Sequence, residues 1–174
     1  MMEQITSLQN PKIKQLLLLQ QKSSERRKTG LFVVEGQQEL QHCMEAGYEV
    51  DTVFWCPALS ADASAEKPLS TLASQGDRHS VRCFEVSREV YEKVAYRGST
   101  EGVIAEVRTR NLRLDDLQLR ERPLIVVLES VEKPSNLGAV LRSADASGVD
   151  CGCLSGKTAE QTSLTGGQAP CAVL

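Results

Sequence analysis

No apolar run in the 174-residue sequence approaches the ~20 residues that a membrane-spanning helix needs. The first residues, MMEQITSLQNPK, also lack the apolar core of a secretory signal peptide. Both absences argue against a membrane or secreted protein, and they predict a cytoplasmic location. The composition, 41% apolar and 25% charged residues, is typical of a globular protein rather than a disordered one.

Metal ligands are scarce and poorly spaced. The two histidines, His42 and His79, lie far in sequence from the one close pair of cysteines, Cys151 and Cys153. That pair is spaced C-x-C rather than the C-x-x-C of many zinc sites, so no metal site is predicted. Because nothing indicates secretion, reduced thiols are expected at all six cysteines, which are residues 43, 56, 83, 151, 153 and 171.

The chain as a whole has no excess of positive charge, since its formal net charge is −3. The charge is unevenly distributed, however. Residues 1–30 carry a local charge of +4, and the remaining residues carry −7. A basic end on an acidic body suggests a surface that binds a polyanion. The alternative is an ordinary solvated helix face, and charge alone favours that alternative.

Strands alternate with helices over residues 1–108, which predicts an α/β domain with a largely parallel sheet. Asn10 and Pro11 suit the N-cap and first position of an opening helix. The polar segment SSERRKTG that follows this helix is predicted to be a loop. Strands are expected at 31–34, 50–55, 81–86 and 103–107, and further helices at 37–46, 69–74 and 87–94.

A second unit is expected from Pro123, after a charged linker at 109–122. The apolar run 124–128 predicts a buried parallel strand. A helix over 137–147 follows, with Asn136 as its N-cap and Gly148 as its stop. Another strand should begin at Val149. This partial domain covers residues 123–154, and residues 155–174 have no regular period and are expected to be an irregular tail.

The segment Asn136–Gly148 is the most informative part of the sequence. A helical wheel places Leu137, Val140, Leu141 and Ala144 in one stripe that faces the sheet. Arg142 then lies on the free face, with Gly138 one turn before it on its side. Such a helix start can bind a phosphate or a polar ribose. The alternative is a surface arginine paired with Asp145 three residues later, and the residues alone favour that alternative.

The segment VVLESVEKPSNLGAVLRSADASGVD resembles the first motif of the SpoU-type, or TrmH-type, RNA 2′-O-ribose methyltransferases of the SPOUT superfamily. That motif is an apolar strand followed by Pro-x-Asn-x-Gly-x-x-x-Arg-x-Ala and a later Gly. Ser135 stands where the family usually has Gly. The matching positions are Asn136, Gly138, Arg142, Ala144 and Gly148.

The N-terminal half is similar to the same family's substrate-binding domain. The similar segments are ITSLQNPKIKQL, RRKTGLFVVEG and VSREVYEKVAYRGSTEGVIAEV. The resemblance implies a fold class of α/β, with an L30e-like α/β/α substrate-binding domain followed by the incomplete start of a SPOUT (α/β-knot) methyltransferase domain. It also implies structured RNA, ribosomal or transfer, as the partner. Candidate phosphate contacts are Lys12, Arg26, Arg27, Lys28 and Arg97.

The resemblance implies catalytic roles for Asn136 and Arg142. Asn136 would orient the ribose, and Arg142 would bind near the 2′-hydroxyl and help it to lose its proton. The methyl donor would be S-adenosylmethionine, and family members usually form homodimers through the knotted domain.

The sequence departs from the family after the first motif. The two later motifs that build the cofactor pocket do not occur in it, and residues 123–174 are few for a domain. The chain is therefore expected to be C-terminally truncated and inactive in methyl transfer by itself. Three readings stay open: an enzyme of this family by ancestry, a non-catalytic RNA-binding module, or an interaction domain whose basic end is only solvated.

Overall fold

The computed structural model of the chain describes residues 2–60, 81–96, 101–110, 117, 119–131, 133–155 and 171–172. The chain divides into two compact units. The first comprises Met1–Glu25 and Thr29–Thr109, and the second comprises Arg26–Lys28 and Arg110–Leu174. The expected short helix at 69–74 lies outside the described residues.

The N-terminal half contains a five-stranded sheet. The strands are β1 (Glu3–Ile5), β2 (Leu31–Glu35), β3 (Val50–Trp55), β4 (Arg82–Val86) and β5 (Val103–Arg108). Their order in the sheet is β1-β4-β3-β5-β2, and a 3-10 turn, Pro57–Leu59, follows β3. The helices are α1 (Pro11–Gln21), α2 (Ser23–Thr29), α3 (Gln37–Glu45) and α4 (Arg88–Val94).

Helices cover both faces of this sheet, which gives the α/β/α layering expected from the sequence. On one face α1 and α4 pack their apolar residues against Ile5, Phe54 and Ile104. On the other face Leu40 of α3 packs against a second cluster that includes Val53. Two predicted caps are confirmed: Asn10 Oδ1 accepts from Lys12 N at 2.9 Å, and Ser87 Oγ accepts from Val90 N at 3.4 Å.

The prediction of a largely parallel sheet is wrong, because β5 runs against both of its neighbours. β4 is parallel to β1 and β3, whereas β5 is antiparallel to β3 and β2. The connection from β4 to β5 contains the short helix α4, whose seven residues span roughly 10 Å, and the chain does not return to the edge where β4 began. β5 therefore starts at the edge where β3 ends, with Val103 opposite Trp55.

The segment SSERRKTG is not the predicted loop, since residues Ser23–Thr29 form α2. This helix buries no residue, so it leaves no apolar period for sequence reasoning to find. Its stability has other sources. Glu25 lies in the first turn and three cations lie in the last turn, where each charge complements the helix dipole. The three-residue strand β1 was also not predicted.

The second unit contains a three-stranded sheet formed, in this order, by β6 (Ile125–Glu129), β7 (Cys151–Ser155) and β8 (Cys171–Ala172). The helix α5 (Pro134–Ala146) connects β6 to β7, which are parallel, as expected, with Ile125 opposite Cys151. The predicted burial of the first strand is wrong, since Ile125 is 43% exposed and Val127 is 66% exposed. The strand β8 is antiparallel to β7, so the prediction that residues 155–174 are wholly irregular is wrong at 171–172.

The helix α5 begins three residues earlier than predicted. Its N-cap is Lys133, with no side-chain hydrogen bond, and Pro134 is the first helical residue. The fixed φ of proline suits that position, which places Asn136 inside the first turn instead of at the cap. The predicted stop is confirmed, since Gly148 has a φ of +66° and its N–H donates to Asp145 O at 2.9 Å.

The five cysteines whose side chains are described form no disulfide. Within the same part of the chain, no group of three or more His, Cys, Asp or Glu side chains is placed to hold a metal ion. No helix in the described residues combines the length and apolar character that crossing a bilayer requires.

Candidate functional site

The basic candidates Arg26, Arg27 and Lys28 occupy the last turn of α2. Arg27 and Lys28 are exposed, and Arg26 is half-buried. At the end of the helix, the Thr29 hydroxyl donates a hydrogen bond to Glu25 O at 2.7 Å. A regular helix presents the two exposed cations from a fixed backbone, which a loop would not do. Such an arrangement suits contacts to successive phosphates, which position a nucleic acid without reading its sequence.

The candidate Lys12 already has partners in the structure. Its ammonium contacts Glu3 Oε2 at 2.8 Å and lies 3.9 Å from the centre of the Phe84 ring. A phosphate would therefore have to compete with Glu3 for this charge. The role of Lys12 in RNA binding stays a prediction. Arg97, the remaining candidate, lies outside the described residues.

The apolar stripe predicted on α5 is only partly present. Leu137 and Ala144 are buried as predicted, but Val140 of the same stripe is 37% exposed. Arg142 is exposed, as predicted. A Cβ atom added to Gly138 would lie 3.4 Å from Arg142 Nη1, so the bare glycine does leave room beside the guanidinium. The ion pairs of the described residues do not include one between Arg142 and Asp145, which was the alternative interpretation.

The start of β7 is tied to the segment before β6 by an arginine that sequence reasoning had placed in a linker. The Arg120 guanidinium donates to both carboxylate oxygens of Asp150 and, at 2.6 Å, to Gly148 O. Leu124 N also donates to Asp150 Oδ2 at 2.8 Å. Hydrogen bonds from Arg120 and Leu124 lower the pKa of Asp150 below its ordinary value. These contacts fix the spacing of the two parallel strands that carry the motif.

S-adenosylmethionine, the cofactor that the resemblance implies, requires an enclosed cavity for its adenine ring. The described residues of the second unit leave their apolar strand face open. Val127 on β6 is 66% exposed and Ile125 is 43% exposed. Among the described strands, β6 lies at an edge of the sheet and pairs with β7 alone. No chemical step through the cofactor follows from the described residues.

A second charged cluster lies in the first unit, around a β-bulge at Asp51. Asp51 accepts from Arg108 at 2.5 Å, from Arg82, and from the Thr52 hydroxyl at 2.9 Å. Burial opposes ionisation of Asp51, but these hydrogen bonds outweigh it, so its pKa lies below the ordinary value. Glu106, opposite Thr52 in the β3–β5 register, is only 2% exposed.

Burial, followed by the charge of Asp51, raises the pKa of Glu106 from 4.5 to about 7. Its Oε1 atom has no hydrogen-bond partner. The charge of Arg82 and a hydrogen bond with Thr52 oppose the rise in pKa but do not cancel it. Neither Glu106 nor Asp51 stood out in the sequence, since their burial depends on strands that meet only in the fold.

Comparison with known proteins decides the family. The family model described as the MRM3-like substrate binding domain matches residues 10–105, more than half of the chain. An uncharacterized tRNA/rRNA methyltransferase of Synechocystis sp. is 34% identical over 149 residues, which cover 84% of this chain and 50% of that protein. This chain belongs to the SpoU/TrmH-type RNA methyltransferase family. The resemblance stated from the sequence is thereby confirmed.

Solved structures of family members have the same fold. The AdoMet-bound rRNA methyltransferase from Sinorhizobium meliloti superimposes with a TM-score of 0.77 at 26% identity, over 94% of this chain and 58% of that one. A crystal structure of an RNA 2′-O ribose methyltransferase gives 0.71 at 30% identity, over 91% and 59%. These matches confirm the fold class. The chain spans about half the length of the curated relatives it matches.

Proposed function

We propose that these 174 residues bind structured RNA, ribosomal or transfer, through their N-terminal half and do not transfer methyl groups by themselves. The match of residues 10–105 to a substrate-binding domain carries the proposal. The name of one relative, from Vibrio cholerae and 33% identical over 113 residues, specifies methylation of 23S rRNA at a guanosine 2′-oxygen. The exposed cations of α2 provide charge that such a polyanion requires.

The proposal that methyl transfer needs more than these residues rests on two observations. The matched residues cover only 50% and 46% of two curated relatives, and the apolar face of β6 is open. A cofactor pocket must exclude water, which an open strand face does not do. In a completed fold, Asn136 would orient the ribose and Arg142 would bind near its 2′-hydroxyl, with S-adenosylmethionine as the donor. Both roles stay predictions.

Several further expectations also stay predictions. They are the boundaries of the RNA-binding domain at 1–108, the linker at 109–122, the partial methyltransferase domain at 123–154 and the tail at 155–174. The family's homodimer and the cytoplasmic location are likewise carried over from the resemblance and the composition. Taken together, these proposals describe a non-catalytic RNA-binding module.

The double variant Arg27→Ala/Lys28→Ala is expected to weaken RNA binding and to flatten its salt dependence. If each cation contacts one phosphate, the slope of log affinity against log salt should fall by about 1.5–2, because each contact releases a condensed counterion. Fluorescence anisotropy of a labelled structured RNA over a range of salt concentrations measures this slope. Arg26 is left in place because it is half-buried.

A matched control removes two exposed cations elsewhere. Arg88→Ala/Lys93→Ala makes the same change of net charge on α4, where both side chains are exposed. This variant should keep a slope close to that of the wild type. Equal slopes for the two double variants would show that α2 has no special place in RNA binding, and the proposal for this helix would then be wrong.

A further inference from the structure

Tyr96 is the most exposed large apolar side chain in the described part of the chain, at 89%. The other two tyrosines are packed: Tyr91 is 1% exposed in the core, and the Tyr48 ring contacts Phe32 edge-on at 5.7 Å. Burial of an aromatic ring normally stabilises the fold, and a ring left almost wholly in water does not contribute that stabilisation. Tyr96 directly precedes Arg97, a candidate RNA contact that lies outside the described residues.

The backbone beneath this ring is firmly held. Tyr96 follows α4 directly, and the last residue of that helix, Val94, is buried. The Tyr96 N–H donates to Glu35 Oε2 at 3.0 Å, which joins it to the end of β2. This hydrogen bond to Glu35 therefore holds in place the backbone that carries the Tyr96 ring. An exposed side chain on a fixed backbone is typical of a recognition residue, because little ordering entropy is lost on binding.

The chain that returns from this segment is anchored at the same end of the sheet. Glu101 Oε2 accepts from the N–H of Gln37, the first residue of α3, at 2.8 Å. Gly102 O accepts from Cys56 N at 2.8 Å. The residues that precede and follow 97–100 are thus hydrogen-bonded to residues at or just after the ends of β2 and β3.

The aromatic ring of Tyr96 indicates which part of an RNA could meet it. Aromatic side chains stack on bases that are unpaired and splayed out, since bases inside a duplex offer no free face.

We propose that Tyr96 is a stacking platform for an unpaired base, so that the preferred RNA carries a loop or bulge rather than a continuous duplex. This inference rests on the proposed RNA binding and adds the class of RNA that the N-terminal half prefers. The cations of α2 supply sequence-independent phosphate contacts, and Tyr96 supplies the discrimination between unpaired and paired nucleotides.

The test compares the wild type with Tyr96→Ala and Tyr96→Phe on two labelled RNAs of equal length, a hairpin with an unpaired loop and a blunt duplex. The alanine variant should lose about tenfold in affinity for the hairpin and little for the duplex, and phenylalanine should restore hairpin binding, because stacking needs the ring and not the hydroxyl. A 2-aminopurine in the loop gives a second signal: its emission should be quenched by the wild type and by Tyr96→Phe, and less by Tyr96→Ala.

Each other outcome has a definite meaning. If the wild type binds neither RNA, the proposed function fails and this inference fails with it. If RNA binds but Tyr96→Ala matches the wild type on the hairpin, RNA binding stands and the stacking platform is wrong. If Tyr96→Phe is as weak as Tyr96→Ala, the hydroxyl and not the ring makes the contact, which also overturns stacking. Unchanged circular dichroism confirms that the variants are folded.

Discussion

Replacing Glu106 with glutamine is expected to raise the free energy of unfolding at pH 8 by about 2 to 3 kcal/mol. Glu106 is 2% exposed, and burial raises its pKa from 4.5 to about 7. At pH 8 the folded protein must therefore hold a buried carboxylate whose Oε1 atom has no partner. Glutamine has nearly the same shape as the protonated acid and carries no charge, so it removes this cost.

The pH dependence of stability gives an independent check. Because the folded pKa of Glu106 lies above the unfolded one, the folded state binds the proton more tightly. The contribution of Glu106 to the free energy of unfolding is fully present below pH 4.5 and is lost as the pH rises through about 7. Asp51 has a lowered pKa, so its contribution to stability is lost only as the pH falls and does not oppose this trend.

Urea unfolding at pH 5 and pH 8 measures both effects. Trp55, the single tryptophan of the chain, lies on β3 and reports the first unit alone. The wild type should be less stable at pH 8 than at pH 5, and Glu106→Gln should show a smaller difference. Glu49→Gln makes the same charge change at an exposed side chain and should leave the wild-type difference intact. A glutamine variant that is less stable than the wild type at pH 8 would refute the buried-carboxylate explanation.

Replacing Gly102 with alanine is expected to destabilise the first unit by about 3 kcal/mol or more. Gly102 has a φ of +74°, and a Cβ atom there would lie 2.7 Å from Cys56 O and 3.2 Å from Ser60 N. Both neighbours are backbone atoms that cannot turn aside, so the chain itself must shift. The strain of a positive φ and the steric clash add together, and the shift would also weaken the Cys56 N–H···Gly102 O hydrogen bond.

The chain offers a matched control for this substitution. Gly30 has a φ of +65°, but the nearest atom to an added Cβ is Thr109 Oγ1 at an ordinary 3.6 Å. Gly30→Ala should therefore cost about 1 kcal/mol, the strain alone. The difference between the two variants in the free energy of unfolding, followed by Trp55 fluorescence, gives the cost of the steric clash alone. Equal losses would mean that the approach of Gly102 to Cys56 is not as close as the structure places it.

The parts of the fold that were predictable carry local signals. The Asn10 and Ser87 caps, the strand β3 and the stop at Gly148 follow from short-range preferences, and all are present. The antiparallel β5 was missed because strand direction depends on how the strands pair in the fold, which has no local signal in the sequence. The helix α2 was missed for a different reason: it buries nothing, so it has no apolar period.

The sequence predicted which residues belong to the candidate site better than it predicted their contacts. The Gly138–Arg142 neighbourhood follows from helical spacing alone, and the structure has it. The ion pair of Lys12 with Glu3 joins α1 to β1, a strand that the sequence did not reveal. The exposure of Tyr96 and the burial of Glu106 are tertiary properties, since neighbouring residues in sequence do not determine them.

One titration tests the central claim most directly. A fluorescently labelled hairpin from ribosomal RNA is titrated with the 174-residue protein at increasing salt, with and without saturating S-adenosylmethionine. We expect binding whose affinity falls with salt with a log–log slope of −2 or steeper, and no change on adding the cofactor. No saturable binding at low salt, or binding that the cofactor tightens, would contradict an RNA-binding chain that cannot hold its methyl donor alone.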